Sequence, residues 1–175
     1  MSSARGFAAA LKRESARRLA VIAEIKRRSP SKGNLNIDLD PVAVAHAYEA
    51  GGASCLSVLT DAPHFGGSVA HLRAARSACA LPVLRKDFTV GPNDVCDARI
   101  MGADCVLLIA AALSSTEIAE LHELASSIGL DVLVEIHDER ELEVALSIGA
   151  AMIGVNQAIS SRSRSTTNEP SAWRD

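Results

Sequence analysis

The sequence predicts an α/β fold: a parallel (β/α)8 TIM barrel of which about six units are present and the last two are missing. Two observations predict the parallel sheet. Short apolar runs alternate with stretches of helical spacing along the chain, and the strands are apolar on both faces, as in a sheet covered by helices. A third separates a barrel from an open, doubly wound sheet. Charged and polar residues interrupt the strands almost only at their C-terminal ends, where a barrel has its mouth. An open sheet would favour a glycine-rich phosphate loop after its first strand, and Arg27 to Asn34 contains neither GxGxxG nor GxxxxGK[ST].

The elements follow in order. Residues 1–18 read as an N-terminal helical segment and residues 19–157 as the partial barrel. Strands are expected near Leu19–Lys26, Cys55–Leu59, Pro82–Lys86, Cys105–Ile109, Asp131–Glu135 and Met152–Val155. Between them, Pro41–Ala50, Val69–Ala78, Pro92–Met101, Ser115–Ile128 and Glu139–Ile148 carry helical periodicity. Asp40-Pro41 and Ser115 serve as starters, and Gly51, Gly102, Gly129 and Gly149 stop the helices.

At the strand ends stand Glu24 with Lys26, then Lys86, Glu135 and Asn156. Side chains alternate faces along a strand, so Glu24 and Lys26 point the same way. Ammonium and carboxylate groups converging in a pocket of low dielectric suit proton transfer, because burial and mutual charge move their proton affinities toward neutrality. The plain alternative is a layer of structural ion pairs. His137 follows Glu135 closely, but with no HExxH or Ser/Asp partner motif it reads as a loop residue. Glu139-Arg140-Glu141 reads as a solvated helix start favoured by the helix dipole.

The 175 residues are 48% hydrophobic and 22% charged, which suits one soluble domain with a sizeable core. A net charge of -3 gives no basic field, so nucleic acid is not an expected partner, and a small anion must be caught locally. Cys55, Cys79, Cys96 and Cys105 form no CxxC pair and read as reduced core thiols. Met1 to Arg18 lacks an apolar h-region. No membrane association is therefore expected, and the cytoplasm is the expected compartment.

The ordered set AEIKRRSPSKG, SVLTD, FGGS, LPVLRKDF, GADCVLLI, DVLVEIHDE and IGVN, from about Phe7 to Gln157, resembles the indole-3-glycerol phosphate synthase family. Related phosphosugar barrels share the architecture but not the pairing of EIKRxSPSKG with LRKDF. The resemblance implies a carboxy-lyase of tryptophan biosynthesis. Its reaction is the decarboxylating ring closure of 1-(2-carboxyphenylamino)-1-deoxyribulose 5-phosphate to indole-3-glycerol phosphate, carbon dioxide and water. It implies a small phosphorylated, anionic substrate and no cofactor or metal; oligomeric state is left open. Carried over by position, Lys86 is the general acid of ring closure and Glu135 the acid/base of the later dehydration. Lys26 holds the carboxylate or phosphate side of the substrate and orients Lys86, with Glu24 beside it. Asn156 binds a substrate hydroxyl and Ser29 the phosphate, while Phe65, Phe88 and Leu108 wall the anthranilate ring. The plain readings are a turn for Ser29 and core for Phe65, Phe88 and Leu108.

The resemblance stops at Gln157. Ala158–Asp175 has no apolar periodicity and reads by composition as a disordered tail. With a suitable choice of codons, one restored base after Gln157 turns the frame into Gln-Arg-Asp-Leu-Val-Thr-Phe-Glu-Val-Asp-His-Glu-Arg-Ala, which looks like the family's continuation. The hypothesis is a frameshift, and resequencing the gene tests it. In the family the last two units supply a Glu-Ser-Gly element and a Gly-Ser phosphate loop. A chain truncated before them is expected to show little or no synthase activity and to expose its first and sixth strands as unpaired edges.

Overall fold

The structure, a computed structural model, describes residues 3–156; the frame hypothesis and the tail lie outside the described residues. Six strands form one parallel sheet in sequential order: β1 (Ile22–Ile25), β4 (Cys55–Leu59), β5 (Val83–Lys86), β6 (Cys105–Ile109), β7 (Asp131–Ile136) and β8 (Ile153–Val155). The sheet curls as an incomplete barrel, and among the described residues β1 and β8 each have a strand on one side only. An antiparallel hairpin of β2 (Arg28–Ser29) and β3 (Gly33–Asn34) follows β1. Helices α1 (Phe7–Ser15), α2 (Pro41–Ala50), α4 (Val69–Ala78), α5 (Pro92–Met101), α6 (Ser115–Ser127) and α7 (Glu139–Ser147) alternate with the strands, with a short α3 (Ala62–Phe65) after β4.

Local chemistry sets the helix starts. Asp40 accepts from the Val42 amide at 3.0 Å with Pro41 at the first helical position. For α6 the cap is Ser114 rather than Ser115. Its hydroxyl accepts from the Glu117 amide while the Glu117 carboxylate accepts from the Ser114 amide, a reciprocal pair that satisfies two free N–H groups. Asp138 caps α7 through the Glu141 amide at 2.9 Å. The first strand is shorter than the expected Leu19–Lys26. Ladder pairing covers only Ile22–Ile25, and Leu19 is 85% exposed.

The alternation of side chains divides the core in two. Outward residues such as Ile25, Leu56, Val58, Val83, Val106, Leu108 and Val134 meet the helices in the larger cluster. Inward residues Cys55, Leu84, Cys105 and Leu107 form the smaller one with Phe7 and Ala10 of α1. Phe7 is fully buried, so α1 plugs the end of the sheet away from the strand C-termini. Two carboxylates fix that plug. Asp131 accepts from the Ala8 amide at 2.9 Å, and fully buried Asp104 accepts from the amides of Arg5 and Val83 and from the Arg76 guanidinium, each at 2.9 Å. Cys55, Cys79 and Cys105 are buried free thiols. Cys96 is exposed on α5, a correction to its reading as a core thiol; its neighbours Val95 and Ala98 hold the buried face.

Candidate active site

Polar side chains at the strand C-termini meet in a cavity of about 600 Å³. Parallel register brings them level: Glu24 stands beside Ser57, Leu59 beside Lys86 and Ile109 beside Glu135. The cavity is lined by Glu24 and Lys26 from β1 and its exit, Lys86, Asp87 and Phe88 from β5 and its exit, Glu135 from β7, and Val155 and Asn156 at the end of β8. Asp61, Phe65, Leu107 and Ile109 complete most of its wall.

Lys86 Nζ donates to Glu135 Oε2 at 2.7 Å, and Asn156 Nδ2 donates to Glu135 Oε1 at 3.0 Å. Burial pushes the Glu135 carboxyl upward. The bonds from Lys86 and Asn156, with the nearby charges of Lys86 and His137, outweigh it and hold the group below its ordinary value of 4.5. Glu135 is therefore a carboxylate at neutral pH, with a donor on each oxygen. Lys26 pairs with Glu24 on the neighbouring rim, and the Tyr48 hydroxyl of α2 ties the Glu24 carbonyl at 3.0 Å. Two ammonium–carboxylate pairs thus share one hollow whose remaining wall is largely apolar.

A second layer shapes the loop after β5. Arg85 points outward and is nearly buried. It donates to Thr60 Oγ1 at 3.3 Å, to the Asp94 carbonyl at 2.8 Å and to Asp87 Oδ2 at 3.1 Å. Thr60 also bonds Asp87, whose other oxygen accepts from the Phe88 amide at 2.9 Å. These bonds fix the backbone on either side of Lys86 and present Phe88, 49% exposed, to the cavity. Phe65 reaches it from α3, which is capped by Asp61 through the His64 amide at 2.7 Å.

Of the residues singled out from sequence, Glu24, Lys26, Lys86, Glu135, Asn156, Phe65 and Phe88 come together here. Ser29 and Leu108 do not line the cavity. The Ser29 hydroxyl accepts from the Lys32 amide at 3.2 Å inside the β2–β3 hairpin, as a turn residue does. Leu108 as a ring wall is a correction. Parity along β6 sends it outward, fully buried against the helices, and gives its place to Leu107 and Ile109. The signal was present, since Glu135 fixes which face of β7 is inward and Ile109 is its register partner. Sequence reasoning also missed Asp61 and Asp87 on the wall. It set aside His137, whose Nε2 lies 3.8 Å from Glu135 Oε1.

Among the described residues no helix is long and apolar enough to cross a membrane. The family model for indole-3-glycerol phosphate synthase matches residues 1–158. A half-barrel with two lysine–carboxylate pairs at its mouth, matched over that length, belongs to the indole-3-glycerol phosphate synthase family of carboxy-lyases.

Proposed function

We propose that this hollow carries out the family's reaction, the decarboxylating ring closure of 1-(2-carboxyphenylamino)-1-deoxyribulose 5-phosphate to indole-3-glycerol phosphate. The observation that supports it most is the Lys86–Glu135 pair at 2.7 Å, partly screened from water beside an apolar wall. Of the two ammonium–carboxylate pairs in the hollow, Lys86 with Glu135 is the less exposed, so its transferable proton and the carboxylate that can return one are the better screened from water. The Lys86 proton goes to the carbonyl oxygen as the new carbon–carbon bond forms. Glu135 then serves as acid/base of the dehydration. Lys26 exchanges Glu24 for the anionic end of the substrate, Asn156 turns to a substrate hydroxyl, and Phe65 and Phe88 flank the aromatic ring. Ser29 takes the phosphate by rotating its hydroxyl out of the hairpin. General acid–base groups contribute roughly 10²–10⁴-fold each. Turnover of this substrate by the full chain, followed by indole fluorescence, should therefore drop by about that factor in Lys86→Met. Equal rates in the two proteins would refute the assignment.

A second reading, an inactive half-barrel that only pairs with another chain, is favoured by the outer edges of β1 and β8. These have no strand partner among the described residues, and Ile22 and Val155 stand exposed there. Light scattering combined with the turnover assay decides between the two: a monomer that turns over supports the first, and a silent oligomer supports the second.

A further inference from the structure

The balance of charge in the proposed reaction sets a requirement that Lys86 and Glu135 alone do not meet. A carboxylate enters, while neutral carbon dioxide and water leave. Each turnover therefore takes up one proton in total: one goes to the carbonyl oxygen, one leaves with the hydroxyl as water, and one is returned from carbon. The net proton must come from solvent. Glu135 is only 13% exposed and holds Lys86 on one oxygen and Asn156 on the other, so its contact with bulk water is restricted.

His137 stands between that carboxylate and solvent. Its side chain is 35% exposed, and its two ring nitrogens face two different carboxylates. Nδ1 lies 3.1 Å from Glu141 Oε2, and the same oxygen accepts from the His137 amide at 2.7 Å. Capping needs only the amide bond; the ring contact in addition fixes the imidazole. Because Glu141 accepts hydrogen bonds, Nδ1 carries hydrogen, and in the neutral ring Nε2 is then left with a lone pair. That lone pair faces Glu135 Oε1 across 3.8 Å. Two acceptors face each other there, and an added proton on Nε2 turns the contact into an ion pair. No other ionisable side chain pairs with His137 among the described residues, and those acting on Glu135 are Lys86 and His137 itself.

We propose that His137, oriented by Glu141, is the positioning residue and proton inlet that recharges Glu135 from solvent during turnover. The inference rests on the proposed function. Before the dehydration, imidazolium Nε2–H transfers to Oε1. Glu135 gives that proton to the departing hydroxyl and returns to the carboxylate, the proton lost from carbon restores Lys86, and the neutral imidazole takes its replacement from bulk water. Hydrogen-bond range requires the gap to close by about 1 Å, within the reach of side-chain rotation.

The test has two arms on the full chain. Long-range ¹H–¹⁵N spectra of the neutral imidazole are expected to show the Nδ1–H tautomer for His137, assigned by its loss in His137→Ala. An Nε2–H tautomer overturns the inference without reference to activity. In the turnover assay, His137→Ala is expected to lower kcat about tenfold with KM little changed. The rate should then climb with imidazole concentration at fixed pH, whereas the parent protein ignores added buffer. A loss that imidazole does not restore, or no loss, overturns the inlet while leaving the proposed function standing. A parent chain that never turns over the substrate overturns that function, and the inlet with it.

Discussion

The pair at the centre of the site can be weighed by a double-mutant cycle on stability, using Lys86→Met, Glu135→Gln and the two combined. At 2.7 Å two unit charges attract by about 6 kcal/mol when the effective dielectric constant is about 20. Most of that is offset by loss of hydration, because the Lys86 side chain is 26% exposed and Glu135 13%. Between the 0.2–1 kcal/mol typical of exposed pairs and the roughly 3–5 kcal/mol seen when a buried pair is broken, a coupling of about 1–2 kcal/mol is expected at pH 7. Lys86→Met should cost more than Glu135→Gln, since it strands a carboxylate that Asn156 and His137 alone must hold. Urea unfolding followed by far-UV circular dichroism measures all four proteins. The sign of the pH dependence follows from the depressed Glu135 carboxyl. Its stabilisation is complete above the unfolded value, near 4.5, and disappears as pH falls through the lower folded value. The coupling should therefore shrink below pH 4.5. A coupling under about 0.3 kcal/mol at pH 7, the ordinary error of additivity, or one that persists in acid, would refute a partly dry ion pair at this position.

Four further outcomes are expected. Cys96 alone should react quickly with Ellman's reagent in the folded protein; Cys55, Cys79 and Cys105 are buried, and burial pushes the Cys55 thiol up to about 12, so a second fast thiol would contradict the fold. Gly67→Ala should lower the melting temperature by several degrees, because its new methyl carbon would stand 2.3 Å from the Leu59 carbonyl oxygen and force the loop after α3 off the end of β4. Leu108→Ala should cost roughly 2–5 kcal/mol in urea unfolding with KM unchanged, whereas Leu107→Ala should alter KM as well, because only Leu107 faces the cavity. Asp104→Ala should cost about 3–5 kcal/mol in the same assay by leaving the Arg76 guanidinium and the Arg5 and Val83 amides without their shared acceptor.

The strands were legible because burial on both faces leaves a continuous apolar run, and their polar ends were legible because charge inside such a run is costly. That was enough to bring Glu24, Lys26, Lys86, Glu135 and Asn156 to one place. The same logic hid what faces away from the cavity. Arg85 lies in a strand yet points outward, and its role depends on Thr60 and Asp87 from two different exits, a coincidence that spacing along the chain does not record. Asp104 and Asp131 break the rule that charge sits only at strand C-termini. Each sits where a strand begins, and each is satisfied by residues of the N-terminal segment more than ninety positions away. Leu108 was misplaced by one residue of parity, and on a strand one residue is a change of face.

The partners of the charged groups at the two ends of the sheet separate stability from chemistry. At the plugged end, Asp104 and Asp131 are held by backbone amides and by a guanidinium that is itself nearly buried, so no small molecule can take those places without unfolding α1. At the open end, Lys26, Glu24, Lys86, Glu135 and Asn156 are bonded chiefly to one another through side chains in a hollow open to solvent. A substrate carrying carboxylate, phosphate and hydroxyl groups can replace those partners one for one, at the cost of side-chain rotations alone. On the proposed function, the lysine–carboxylate pairs are a resting arrangement that keeps partly buried charge compensated until an anion arrives, and substrate binding is then an exchange of ion-pair partners rather than the filling of an empty charged pocket.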